Sequence, residues 1–482
     1  MRQTSLWTII PTLLFLLSFA VADDSDTITC GTENQVCPES APCCSQYGVC
    51  GTGAYCLGGC DTRFSFNSSS CMPMPRMSDF DTQFNNLSQV EIQNQYLGNA
   101  SESDWVYTGW VDIHDDALLL QMPANSSGTV VSSTKYLWYG KVSATFKTSH
   151  DRGVITAFIL YSDVKDEIDF EFVGYNLTAP QSNFYALGIL NYTNAENSTT
   201  TDTFENYHTY MLDWTEEYIK WYIDDPDHPV RTLNRNDTWN TTTKRYDFPQ
   251  TPSRIQFSLW PGGGAGNGLG TIEWAGGEVD WDSEDIKKYS YYYAYLKEVK
   301  VETYDLPANV KLDGSKDADS LHAFYFDSDS SWDESDVGLT NRKTWLGSSK
   351  ATGFNPQNAQ DPIVNVPKNK TSTIVTSKGT SKITQTTTIK QSATSKEVVE
   401  VPGAATTEGG DGGAAASTTN DYNPSGYIGG FVQNSKATPS GGSDTTGSSG
   451  SSGSSNDAQS YAFESVFGLT FAIGLGIISF FI

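Results

Sequence analysis

Apolar and polar residues alternate in short runs along the middle of the chain, and each run is closed by Gly, Asn, Asp or Pro. The segments "KVSATFKTS" (141–149), "VITAFILYS" (154–162), "IKWYID" (219–224), "RIQFSLW" (254–260) and "LKEVKVETY" (296–304) read as strands. No stretch between residues 79 and 305 sustains a helical period, so the pattern predicts an all-β antiparallel sandwich over 79–305. Residues 306–367 follow as a polar extension whose role the pattern does not reveal. From 368 to 456 Ser, Thr and Gly dominate and apolar residues are too sparse to bury, which predicts a disordered, O-glycosylated stalk.

The two ends of the chain break this texture. Residues 1–22 have Arg2, an apolar run from Trp7 to Val21 and the small-residue site Ala20-Val21-Ala22, the pattern of a secretory signal peptide. Val466 to Ile482 is an uncharged apolar run after a Gly/Ser/Asp tract. It is shorter than the ~20 residues of a spanning helix and has no basic stop. Its form is that of a GPI-attachment signal, with 457–482 as the propeptide and Asn456 as the expected attachment site, Gly453 being the alternative if the spacer is longer. The expected address is the outer face of the plasma membrane, the cell wall or both. Sequons at Asn67, Asn86, Asn99, Asn125, Asn176, Asn191, Asn197, Asn236, Asn240 and Asn369 agree with a secretory route.

Charge narrows the partners. With 57 acidic and 30 basic residues among 482, the net charge of -27 repels nucleic acid and anionic membrane surfaces, so no nucleic-acid partner is expected. Aromatic residues make up 12%, among them 12 Trp and 25 Tyr, which suits both sandwich cores and stacking on sugar rings. Trp214 and Trp221 are assigned to the core. No His has a ligand partner at metal spacing and no Gly-rich phosphate loop precedes a helix, so neither a metal nor another cofactor is expected. The protein is expected to be monomeric.

All eight cysteines, Cys30, Cys37, Cys43, Cys44, Cys50, Cys56, Cys60 and Cys71, fall in residues 23–72. An even, dense cluster in a secreted chain is a disulfide framework, because so short a segment cannot bury enough apolar surface to fold without staples. Within it, "PCCSQYGVCG" (42–51) and "AYC" (54–56) resemble the hevein-type chitin-binding module, carbohydrate-binding module family 18. The resemblance implies sugar contacts at Ser45, Tyr47 and Tyr55. Val49 departs from it, standing where a second stacking aromatic is usual, and leaves a structural knot as the other reading.

The strand "KDEIDFEFVG" (165–174) carries the chemistry. Strand alternation puts Glu167, Asp169 and Glu171 on one face and Ile168, Phe170 and Phe172 on the other, so an apolar face anchors to the core while three carboxylates look outward. Crowded carboxylates beside a buried face have their pKa values pushed up, the condition for holding an acid and a base at one pH. Retaining glycoside hydrolysis needs such a pair. The E-x-D-x-E motif, with "YHTYMLDWTEEYIKWYIDD" (207–225) and "SLWPGG" (258–263), resembles glycoside hydrolase family 16. This implies a jelly-roll sandwich with a cleft across one sheet, Glu167 as nucleophile, Asp169 as its modulator and Glu171 as general acid/base. The alternation in "RIQFSLW" aims Arg254, Gln256, Ser258 and Trp260 away from Ile255, Phe257 and Leu259, which makes Arg254, Gln256 and Trp260 candidate substrate contacts. Thr271 in "GTIEWAGG" resembles a further one.

Signal peptide, cysteine module, sandwich, stalk and anchor signal together resemble the fungal Crh-type cell-wall proteins. The resemblance implies cleavage of chitin with retention and transfer to β-glucan. A hydrolytic β-glucanase or chitinase would use the same carboxylates, and a catalytically idle wall-binding protein is the third possibility, against which the three intact carboxylates speak.

Overall fold

The computed structural model describes residues 27–31, 35–314, 317–328 and 331–356, and a two-stranded ribbon at Lys370–Lys378 and Ser381–Ile389. Two eight-stranded sheets form the expected sandwich. The sheet that carries the acidic strand runs, edge to edge, Glu196–Asn197, Gln181–Tyr185, Glu167–Val173, Val154–Ser162, Ser253–Pro261, Thr129–Ser133, Trp105–Thr108 and Val90–Ile92. The other sheet is built around Gly140–Lys147 and the long strand Tyr291–Thr303.

The inward face follows the alternation read from the sequence. Ile168, Phe170 and Phe172 join Ile255, Phe257 and Leu259 in the main core, together with Trp214 and Trp221. Phe146 from the opposite sheet meets Phe158, Phe172 and Phe257 with ring centroids 6.1, 5.4 and 5.9 Å away, close to edge-on in each case. Such contacts add ~0.5–1.5 kcal/mol each beyond area burial, so they tie the acidic strand's inner face to both layers.

The outer face of this sheet is covered too. "VITAFILYS" is buried at every position of Val154–Ser162, because Ile155, Ala157, Ile159 and Tyr161 pack outward against Val173, Trp260 and Ala275. Part of the cover is the short helix Leu269–Trp274. The cysteine-rich module supplies more. It is held by Cys30–Cys44, Cys37–Cys50, Cys43–Cys56 and Cys60–Cys71, bonds that belong to an oxidising compartment.

The tract after residue 306, whose role the sequence left open, has a place in the fold. It is an integral part of the sandwich's core: Ala323–Phe326 and Val337–Thr340 pair in a four-stranded sheet with Met74–Pro75, burying Phe324, Phe326, Val337 and Leu339 in the main core. Short apolar strands between long Asp/Ser loops give a low average hydropathy that hid them. Beyond this tract, Lys370–Lys378 and Ser381–Ile389 pair antiparallel. Both are rich in β-branched Thr, Ile and Val, a strand-favouring feature that composition alone masks. The signal peptide, Asn456 and the apolar tail lie outside the described residues, as does Asn369. Of the other sequons, Asn99 and Asn240 are half-buried and the rest exposed.

Candidate active site

The hairpin joining Val154–Ser162 to Glu167–Val173 turns through Lys165, a non-glycine residue in the left-handed region at φ 65°. Asp166, at its exit, is a structural carboxylate. Oδ1 accepts from the Leu187 amide at 2.8 Å, and Oδ2 accepts from the Gln250 and Thr251 amides and the Thr251 hydroxyl at 2.7–3.1 Å. This fixes the start of the acidic strand and leaves three carboxylates for chemistry.

Those three are far drier than an outward-looking row suggests. Glu167, Asp169 and Glu171 are 2%, 0% and 6% exposed, and neither carboxylate oxygen of Asp169 nor Oε1 of Glu171 has a hydrogen-bond partner among the described residues. The same is true of Asn183 Oδ1 and Ser258 Oγ. Asn183 is registered opposite Asp169, and Ser258 aligns with Glu171 through Ala157. Buried polar atoms without partners are costly, and a cluster of them in adjacent rows marks a place where a ligand supplies the hydrogen bonds.

The electrostatics distinguish the carboxyls. Burial pushes Glu167 well above the usual carboxylate range; the Asp169 carboxylate adds to this and the Lys165 ammonium opposes it. Burial pushes Asp169 up to about 7 against the pull of Arg231. For Glu171, burial and then the charges of Asp169 and Glu167 all favour the protonated form. Burial also lowers the Lys165 pKa, with the Asp61 and Glu167 carboxylates pulling the other way. A dry row of three carboxyls cannot hold three charges, so the member beside a cation ionises before the member beside two anions.

The expected substrate contacts share the outer face but are not all open. Gln256 and Arg254 are aligned with Asp169 and Glu167 through Ile159 and Tyr161. Both are buried, and Gln46 of the cysteine module accepts from each. Trp260 is fully buried beneath Trp274, with ring centroids 6.2 Å apart, so it supports the site and is not an exposed platform. Thr271 is buried in the helix that covers it. Trp274 is the more open ring, and its indole N–H donates to Gln181 Oε1 at 2.8 Å. Sequence reasoning missed Trp274, Lys165 and the row Gln181, Asn183 and Tyr185, which faces Glu171, Asp169 and Glu167 in register. The alternation in "QSNFY" was the available signal for that row. In the module, Ser45 is buried and its Oγ accepts from the Val49 amide at 3.3 Å, while Tyr47 and Tyr55 are half-buried.

Comparison with known proteins places this geometry. Residues 99–276 match the family Glycosyl hydrolases family 16. The chain is 56% identical to Crh-like protein UTR2 of Candida albicans over 468 residues, 96% of each chain. It is 49% identical to Congo red hypersensitive protein 2 of Saccharomyces cerevisiae over 347 residues, 71% of this chain and 72% of that one. A solved structure described as apo Crh5 transglycosylase aligns at 25% identity with a TM-score of 0.44, covering 56% of this chain and 97% of that one. With 56% identity to a Crh-like protein over 96% of both chains and a matching family domain around the acidic strand, this chain belongs to glycosyl hydrolases family 16, in its Crh-like group.

Proposed function

We propose that the chain is a retaining transglycosylase that cleaves chitin and joins it to β-glucan, the donor and acceptor that the Crh-type resemblance implies. The observation that carries the role assignment is the charge around two buried carboxyls of one strand face: the Lys165 ammonium in the preceding turn favours ionised Glu167, whereas the charges acting on Glu171, those of Asp169 and Glu167, favour its protonated form. Glu167, the carboxyl with a cation beside it, attacks the anomeric carbon. Glu171, held protonated, gives its proton to the departing glycosidic oxygen, and the sugar stays on Glu167 as an ester. Glu171, now a carboxylate, takes the proton of an acceptor hydroxyl as that oxygen displaces Glu167, restoring both groups. Asp169 lies between them and sets their charge environment. Asn183 and Ser258 have polar atoms available for sugar hydroxyls or the acetamide.

The test is incubation of the secreted full chain with chito-oligosaccharides, with and without a labelled laminari-oligosaccharide, followed by mass spectrometry. Hybrid products longer than the donor support transfer; shortened products alone would assign hydrolysis. Asn456 is proposed as the GPI-attachment site that holds the enzyme at the cell surface. Release by phospholipase and loss of the 457–482 peptide are the expected results, and an intact tail on the surface protein would end that proposal.

A further inference from the structure

The cysteine-rich module does more than sit near the sandwich. Gln46 is 5% exposed, and its Oε1 accepts from Arg254 Nη2 at 2.8 Å and from Gln256 Nε2 at 3.1 Å. Tyr47, next to it, is half-buried, with its hydroxyl beside Thr108 on the same sheet. Thr108 belongs to the strand beyond Thr129–Ser133, so the turn reaches across the outer face away from the carboxylates. Gln256 lies on the second strand from Asp169, which puts the turn ~10 Å to the side of the acidic row at the usual strand spacing.

The contact is built to stay closed. The Gly59 N–H donates to Tyr136 Oη at 3.0 Å and to Asp163 Oδ1 at 2.9 Å, both buried. Arg63 pairs with Asp61 at 2.7 Å and donates to the Leu187 carbonyl at 2.9 Å. A Cβ on Gly58 would lie 2.6 Å from Arg254 Nη1, and one on Gly59, at φ +82°, 2.5 Å from Gln46 Oε1. Opening this seam would break the bonds from Gly59 to Asp163, from Arg254 to Gln46 and from Arg63 to the Leu187 carbonyl, all of them at buried or half-buried groups. Four disulfides keep the module from deforming around the seam.

We propose that the Gln46–Tyr47 turn is the end wall of the sugar-binding cleft, and that Gln46 determines how many sugar units are held on the Gln256 side of the carboxylates. On this arrangement a polysaccharide extends without a stop only toward Asn183, Gln181 and Trp274. On the other side it ends against the amide of Gln46. The module serves the enzyme as a specificity element. The inference rests on the glycosidase reading of the acidic strand, since it needs a sugar chain crossing that strand.

The test compares the full-length wild type with Gln46→Ala and Gln46→Glu. One arm follows cleavage of end-labelled chito-oligosaccharides of increasing length. The second measures calorimetric binding of the same series to each protein carrying Glu171→Gln, which needs no turnover. Gln46→Ala should move the cleavage position further from the end bound on the Gln256 side, and should lengthen the oligosaccharide at which affinity stops rising. Gln46→Glu keeps the bulk and meets Arg254 with a charge, so it should retain the wild-type pattern. A general loss of structure would lower every length alike. Unchanged cleavage position and unchanged affinity plateau in a folded Gln46→Ala protein would overturn the wall. Absence of cleavage with the shifted plateau still present would count against the catalytic reading and support the wall.

Discussion

Asp169→Asn should trade activity for stability, and by an amount that depends on pH in a defined way. The Asp169 carboxyl is fully buried and its pKa is raised from the ordinary 3.8 to about 7. Between those values the unfolded chain has released the proton while the folded chain retains it. A raised folded pKa contributes stability that is fully present below the unfolded value and is lost as pH climbs to the folded value. At about 1.36 kcal/mol per unit, a shift of ~3 units amounts to up to about 4 kcal/mol. The Asn variant has no such proton to lose, and removing the Asp169 charge also relieves Glu167 and Glu171, so both effects favour the variant as pH rises. Urea unfolding of the two full-length proteins should give similar stabilities near pH 4. The variant should gain with each pH unit and lead by a few kcal/mol above pH 7, a rise of several degrees in Tm for a domain of this size. Its kcat/KM profile should move to lower pH, because the Asp169 charge that raises Glu167 and Glu171 is gone. A stability difference independent of pH, or a variant that is weaker above pH 7, would refute the picture of a dry, unpaired carboxylate.

Glu167→Gln should abolish both transfer and hydrolysis, whereas Glu171→Gln should still react with a donor whose leaving group needs no proton. Mass spectrometry should then find the sugar ester on Glu167, and an ester on Glu171 would reverse the assignments. Lys165→Met keeps the apolar stem but removes the cation that opposes the high pKa of Glu167, so the acidic limb of kcat/KM should move to higher pH while the alkaline limb stays near its place. An acidic limb that does not move would show that Lys165 does not tune the nucleophile.

The row of three carboxylates, the inward face of Ile168, Phe170 and Phe172, and the orientation of Arg254 and Gln256 were all legible in the sequence, because strand alternation is a local property with a period of two. The disulfide framework was legible for a similar reason: eight cysteines in one short secreted segment leave little else to do. Their pairing was not, since connectivity depends on how the segment closes on itself. Tertiary structure alone decided how dry the carboxylates are, because desolvation is supplied by remote segments. Gln46 and Gln256 meet across 210 residues of chain, and no local pattern records that contact. The same long-range closure buried Trp260 under Trp274 and drew the polar tract after residue 306 into the core through Phe324, Phe326, Val337 and Leu339. Asp166 and Asp169 look alike in the sequence. Four hydrogen bonds from Leu187, Gln250 and Thr251 make the first structural, and the lack of any comparable donors leaves the second available for chemistry. The local chain determined which groups share a face; folding determined which of them water and partners can reach, and that difference in solvation sets their charge.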